Sequence, residues 1–245
     1  MFTLAEYGSA IAMDTSFWFQ AVDDETYPLS QLGDLTLTLE KSLRALANMA
    51  LLVHHDIGRY NDNLRQAAEV RLKYLARVHE TKSYDQHHFA TGRYAHIVDA
   101  IAGGHFDLAQ TICLQSPGSL SKGKEYPDDF CFGAMLGEWI QPQIDVQRLD
   151  ALLADFDAYL SGDDDPRFVI MDAFQKRDND QFDEGMSDLM LLHELANAEA
   201  REKGSHLDAA EIALQRISID GMCLLRLAKN IGLEIQATYK YCPSI

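Results

Sequence analysis

The stretch Ile217-Ser218-Ile219-Asp220-Gly221-Met222-Cys223-Leu224-Leu225-Arg226-Leu227-Ala228-Lys229-Asn230-Ile231-Gly232-Leu233-Glu234-Ile235 decides the reading of the fold. It specifies one short helix. Ser218 is a strong N-cap, and Ile217 before it is placed to staple onto Met222. Asp220 falls in the first turn, Lys229 in the last and Gly232 just past the end, which suits the helix dipole and a left-handed C-cap. Met222, Cys223, Leu224, Leu225, Leu227, Ala228 and Ile231 leave Arg226 almost alone as a polar residue, and a helix apolar nearly all round belongs inside a larger structure. Gly221 and Ala228 share one face and would admit a close neighbour. The segment is expected to be the buried centre of an all-α fold.

Working outward, the helical period recurs. Leu207–Arg216 leads into the core helix, and Leu233–Tyr241 follows it as a short extended tail. Phe168–Arg177 and Gln181–Lys203 form one helical hairpin; helices over about 87–103 and His105–Gln115 form another, closed by Gly103-Gly104. Between them Pro127 opens a helix running to about Ile140, in the first-turn position that proline favours. Val146–Leu160 then carries Leu149, Leu152, Leu153, Phe156 and Leu160 on one stripe. Two long helices are expected over roughly 35–58 and 60–80, although Asp34-Leu35-Thr36-Leu37-Thr38-Leu39 alternates like a strand. Residues 1–33 receive no assignment. The expectation is eight to ten helices packed as successive hairpins, with an N-terminal region over 1–84 and a C-terminal region over 85–245 in one continuous unit.

The net charge of −17 is unevenly spread. Residues 125–200 hold 19 Asp and Glu against 4 Lys and Arg, while the remainder holds 19 against 17. A field of that sign repels nucleic acid and anionic membrane and attracts basic proteins. The carboxylates singled out as partner-binding are Asp128 and Asp129, the turn residues Asp163, Asp164 and Asp165, and Asp178, Asp180, Asp183 and Glu184 around the next bend. No apolar run approaches the roughly 20 residues of a membrane-spanning helix. Met1–Gln20 carries no Lys or Arg, and so lacks the basic start of a secretory signal. The four cysteines form no C-x-x-C pair and read as reduced, mostly buried thiols. A cytoplasmic protein is expected.

Signals for chemistry are weak. His54-His55-Asp56 contains the His-Asp doublet of metal-dependent phosphohydrolases, but no histidine precedes it. Asp85-x-x-His88 puts a carboxylate and an imidazole on adjacent turns, yet no Glu-x-x-His accompanies it as a helical di-metal site requires. His79, His96, His105, His193 and His206 are scattered, as surface or hydrogen-bonded residues of helices. No G-x-S-x-G, phosphate-cradling loop or G-x-G-x-x-G occurs. Neither catalytic residue, metal site nor cofactor is expected.

Four groups of residues carry a family pattern: Asp99-Ala100 with Phe106-Asp107-Leu108-Ala109; Glu125-Tyr126 with Asp128-Asp129-Phe130; Asp165-Pro166-Arg167 with Ala173-Phe174, Arg177-Asp178 and Phe182; and Ile217-Ser218, Gly221, Leu224-Leu225, Leu227-Ala228 and Gly232-Leu233. Over about 97–243 the chain resembles the immunity protein 49 family of bacterial polymorphic toxin systems. The resemblance implies an all-α cytoplasmic protein that binds and neutralises a toxin encoded beside it, and it supplies no catalytic residues. The acidic segment adds that a basic toxin domain, such as a nuclease, would be complementary. A helical-hairpin scaffold joining other proteins is the alternative, with a helical metalloenzyme third.

Overall fold

A computed structural model of the chain describes residues 4–82, 85–202, 209–235 and 237–244. Among these residues there are twelve helices and no strand: α1 (Leu4–Asp23), α2 (Leu29–His54), α3 (Ile57–Thr81), α4 (Gln86–Phe89), α5 (Ala95–Ala102), α6 (Phe106–Gln115), α7 (Pro127–Trp139), α8 (Val146–Leu160), α9 (Pro166–Lys176), α10 (Asn179–Glu202), α11 (Ala209–Leu214) and α12 (Ile219–Asn230). The fold is all-α, as expected. The count passes ten because α1 comes from the unassigned N-terminal segment and the expected 87–103 helix is divided. Lys203 and Gly204, where the penultimate hairpin was expected to end, lie outside the described residues.

Local chemistry sets the helix ends. Ser218 Oγ accepts from the Gly221 amide at 3.1 Å, capping α12. At its other end Gly232 takes φ +86, with Leu233 N–H bonded to Ala228 O and Gly232 N–H to Lys229 O. That crossed pair satisfies carbonyls left over at the helix end. Asp56, Asp85, Asp145 and Asp165 cap α3, α4, α8 and α9 in turn. An ionised cap also meets the positive end of the helix dipole.

Three expectations needed correction. The helix expected over roughly 35–58 is α2; it includes the strand-like run 34–39 and starts earlier, at Leu29. Leu32, Leu35, Leu39 and Leu43 are buried at helical spacing, and the Thr36 hydroxyl donates to the Gly33 carbonyl, so a threonine that favours strands is absorbed by the turn before it. The same helix ends at His54, not near Gly58, because His55 itself takes the left-handed position at φ 52. Finally, α4 and α5 are separate. The buried Arg71 of α3 donates to the carbonyls of His88, Phe89 and Ala90, holding the chain open where a continuous helix would bond those carbonyls internally.

The most enclosed element is α5, buried from His96 to Ala102 and packed by α3, α6, α7 and α12. The centre is therefore shared: α12 buries one broad face, with Leu224, Leu227 and Ala228 inside and Asp220, Lys229 and Asn230 in solvent. Gly221 is required there, since a Cβ would lie 2.5 Å from Cys242 Sγ of the tail and 2.8 Å from Met190 Cε of α10. The main apolar core runs from Val22 to Cys242, so the 1–84 and 85–245 regions share it, and Ala45, Met49 and Ala213 form a small second cluster.

Candidate functional site

The acidic segment separates into carboxylates that hold the fold together and carboxylates that face outward. Arg167, in the first turn of α9, is the hub of the first set. Its guanidinium reaches Asp129 at 2.7 Å, Asp128 at 2.9 Å and Asp165 at 2.7 Å, donates to Tyr94 Oη, and lies over the Phe132 and Phe156 rings. Burial works against the arginine charge, but Asp165, Tyr94 and Asp129 outweigh it and raise its pKa. Asp128, Asp129 and Asp165 thus neutralise a half-buried cation that joins α7, α8 and α9. Asp165 is also the α9 cap, so only Asp163 and Asp164 of the triple run are solvated turn residues.

Around the next bend Asp178 accepts from the Gln181 amide at the start of α10, and Asp183 accepts from the Tyr239 hydroxyl, tying the tail down. Asp180 and Glu184 are exposed. They begin a continuous outward face of α10 that runs through Asp188, Leu191, Leu195, Glu199 and Glu202, residues three or four apart that stack along one side. Phe182, Met186, Met190 and Asn197 occupy the opposite, buried side. Three leucines in this stretch stand half exposed: Leu191 at 54 %, Leu192 at 50 % and Leu195 at 55 %. Leu192 also lines a cavity of about 370 Å³ with Leu189, Asp164, Asp165 and Asp220. The strip is apolar between acidic ends, and the cavity beside it is lined by Asp164, Asp165 and Asp220 together with the cation Arg167.

A second constellation lies in the interior. Glu40 and Arg44 of α2 meet His96 and Asp99 of α5, and the two carboxylates and the imidazole are all buried. Arg44 Nε lies 2.6 Å from Asp99 Oδ1 and 3.3 Å from Glu40 Oε1, and Arg44 Nη2 donates to the Ala95 carbonyl. His96 Nδ1 faces the Ala67 carbonyl at 3.3 Å, and its Nε2 lies 3.1 Å from Glu40 Oε2. Burial pushes His96 down to about 4, against the attraction of Glu40, and pushes the Asp99 carboxyl up, against that of Arg44. Sequence inspection passes over this cluster, because only the pairs Glu40/Arg44 and His96/Asp99 have helical spacing and the two pairs sit on different helices.

The doublets weighed for catalysis take other positions. Asp56 caps α3 and His55 makes the left-handed link before it. Asp85 caps α4, while His88 turns instead toward Asp34. His79 and His193 meet backbone carbonyls of Gln115 and Gln215, and His206 lies outside the described residues. No helix among the described residues is long and apolar enough to cross a membrane. No protein-family model, curated protein or solved structure matches this chain.

Proposed function

We propose that the chain is a protein-binding module that docks a basic protein domain on the outward face of α10, and that its partner is a toxin it neutralises in the cytoplasm. The observation that carries the docking face is the exposed run Leu191, Leu192 and Leu195 between Asp180, Glu184 and Glu202, beside the cavity walled by Asp164 and Asp220. The identification of the partner as a toxin rests on the resemblance to the immunity protein 49 family. On this reading the module acts by occupancy and carries out no catalysis. Apolar anchors at the middle of such a face supply residence time, and the flanking charge speeds encounter. The partner-binding set is therefore narrower than charge alone suggests. Asp163, Asp164, Asp180 and Glu184 remain in it, whereas Asp128, Asp129, Asp165, Asp178 and Asp183 are committed to the fold.

The test uses the product of the reading frame immediately upstream as analyte, with association measured by surface plasmon resonance at low and high salt. Asp180→Asn with Glu184→Gln should slow association several-fold at low salt and flatten its salt dependence. Leu191→Ala with Leu195→Ala should leave association nearly unchanged and speed dissociation by about tenfold or more. Wild-type protein that does not bind this product would remove the toxin assignment. Tight binding that neither variant alters would move the contact away from α10.

A further inference from the structure

The buried cluster between α2 and α5 goes beyond protein docking. Three of its atoms have no hydrogen-bond partner: Glu40 Oε2, His96 Nε2 and Asp99 Oδ2. Arg44 takes one oxygen of each carboxylate, Asp99 Oδ1 and Glu40 Oε1, and the unpartnered oxygens are the other two. A carbonyl can only accept, so the contact with Ala67 places a proton on His96 Nδ1 and directs Nε2 at Glu40. With its proton on Nδ1, His96 Nε2 has no hydrogen to give Glu40 Oε2 3.1 Å away, so two acceptors face each other without a bond. A proton between them would still leave Asp99 Oδ2 without a partner. Ligand-capable atoms of Glu40, His96 and Asp99 lie within 4.8 Å of one another, close enough for one metal ion to join all three residues.

We propose that Glu40, His96 and Asp99 bind a divalent transition-metal cation of the zinc class, pinning α2 to α5. One imidazole with two carboxylates is a ligand set for Zn²⁺ and its first-row neighbours, and three protein ligands leave one position open. The supporting contacts are those such a site requires: a backbone carbonyl on the distal imidazole nitrogen, and a guanidinium on the outer carboxylate oxygens. The charge also agrees. With both carboxylates ionised, as metal ligation requires, they face one directly bonded arginine and leave one negative charge for the ion to offset, while Arg71 and Asp220 at longer range oppose each other. Glu40 and Arg44 also line a cavity of about 240 Å³ together with Lys41, His193 and Asp220, so one of the three ligands borders open space.

Zn²⁺ and Co²⁺ are the probes, added to full-length protein purified without an affinity tag or chelator. The wild type should bind one equivalent by elemental analysis after gel filtration. Its thermal midpoint should rise by roughly 5 °C or more at a cation concentration about 100 times the dissociation constant. Co²⁺ should give the visible absorption of a low-coordinate nitrogen–oxygen site. His96→Gln should abolish the stoichiometric binding, the absorption and the shift together. Wild-type protein that binds neither cation and shows no shift overturns the proposal, whether or not the variant folds. Equal binding by wild type and His96→Gln also overturns it, since surface carboxylates would then hold the ion.

Discussion

Replacing Arg167 with methionine separates a structural reading of the acidic segment from a docking one. The substitution keeps most of the apolar stem and removes the charge, its bonds and its position over the Phe132 and Phe156 rings. Asp128, Asp129 and Asp165 would then face one another without a cation. Their side chains are 31 %, 29 % and 12 % exposed, against 19 % for Arg167, so water recovers part of the loss. Breaking a fully buried pair costs about 3–5 kcal/mol, and discounting for that exposure gives about 2–4 kcal/mol here. Urea unfolding at pH 7 reads this directly, and a double-mutant cycle isolates the electrostatic part. Asp128→Asn with Asp129→Asn should destabilise the wild type but be neutral or stabilising in Arg167→Met, a coupling of about 1–2 kcal/mol. If Arg167→Met lies within about 0.5 kcal/mol of the wild type, the three carboxylates are not committed to the fold and return as docking candidates.

Other expectations can be checked on the same protein. Leu224→Ala should cost about 2–5 kcal/mol, because the side chain is almost wholly enclosed in the core and leaves a cavity; an unchanged urea midpoint would make α12 peripheral. Gly221→Ala should destabilise by about 1–3 kcal/mol through its contact with Cys242 and Met190, and Cys242→Ala in the same chain should relieve part of that. Burial pushes the Cys113, Cys131 and Cys242 thiols up to about 12, so the folded protein holds protons that the unfolded chain releases near pH 9. Stability is then intact below pH 9 and falls as pH rises toward 12, by at most about 1.4 kcal/mol per pH unit for each thiol, which unfolding curves at pH 8, 9 and 10 would show. For the same reason native thiols should resist iodoacetamide at pH 8 and react fully in urea.

What the sequence determined by itself is local. Ser218, Pro127 and Gly232 mark helix ends because capping and the left-handed turn depend on a few adjacent residues, and Leu224, Leu227 and Ala228 mark a buried face because the helical period is a property of one segment. The all-α class follows from that repetition. It stops where partners come from elsewhere in the chain. Arg71 divides the expected 87–103 helix from outside it, and Asp128 and Asp129 meet an arginine on a different helix. A charge count has no direction, so −15 over residues 125–200 cannot tell a carboxylate facing Arg167 from one facing solvent. The α10 face was half legible: Leu189-Met190-Leu191-Leu192 is more apolar than one helix side can bury, but which leucines face out depends on where α9 and α12 pack. Glu40 and His96 come together only because α2 and α5 both pack on α3, a long-range arrangement that no periodicity within either helix contains.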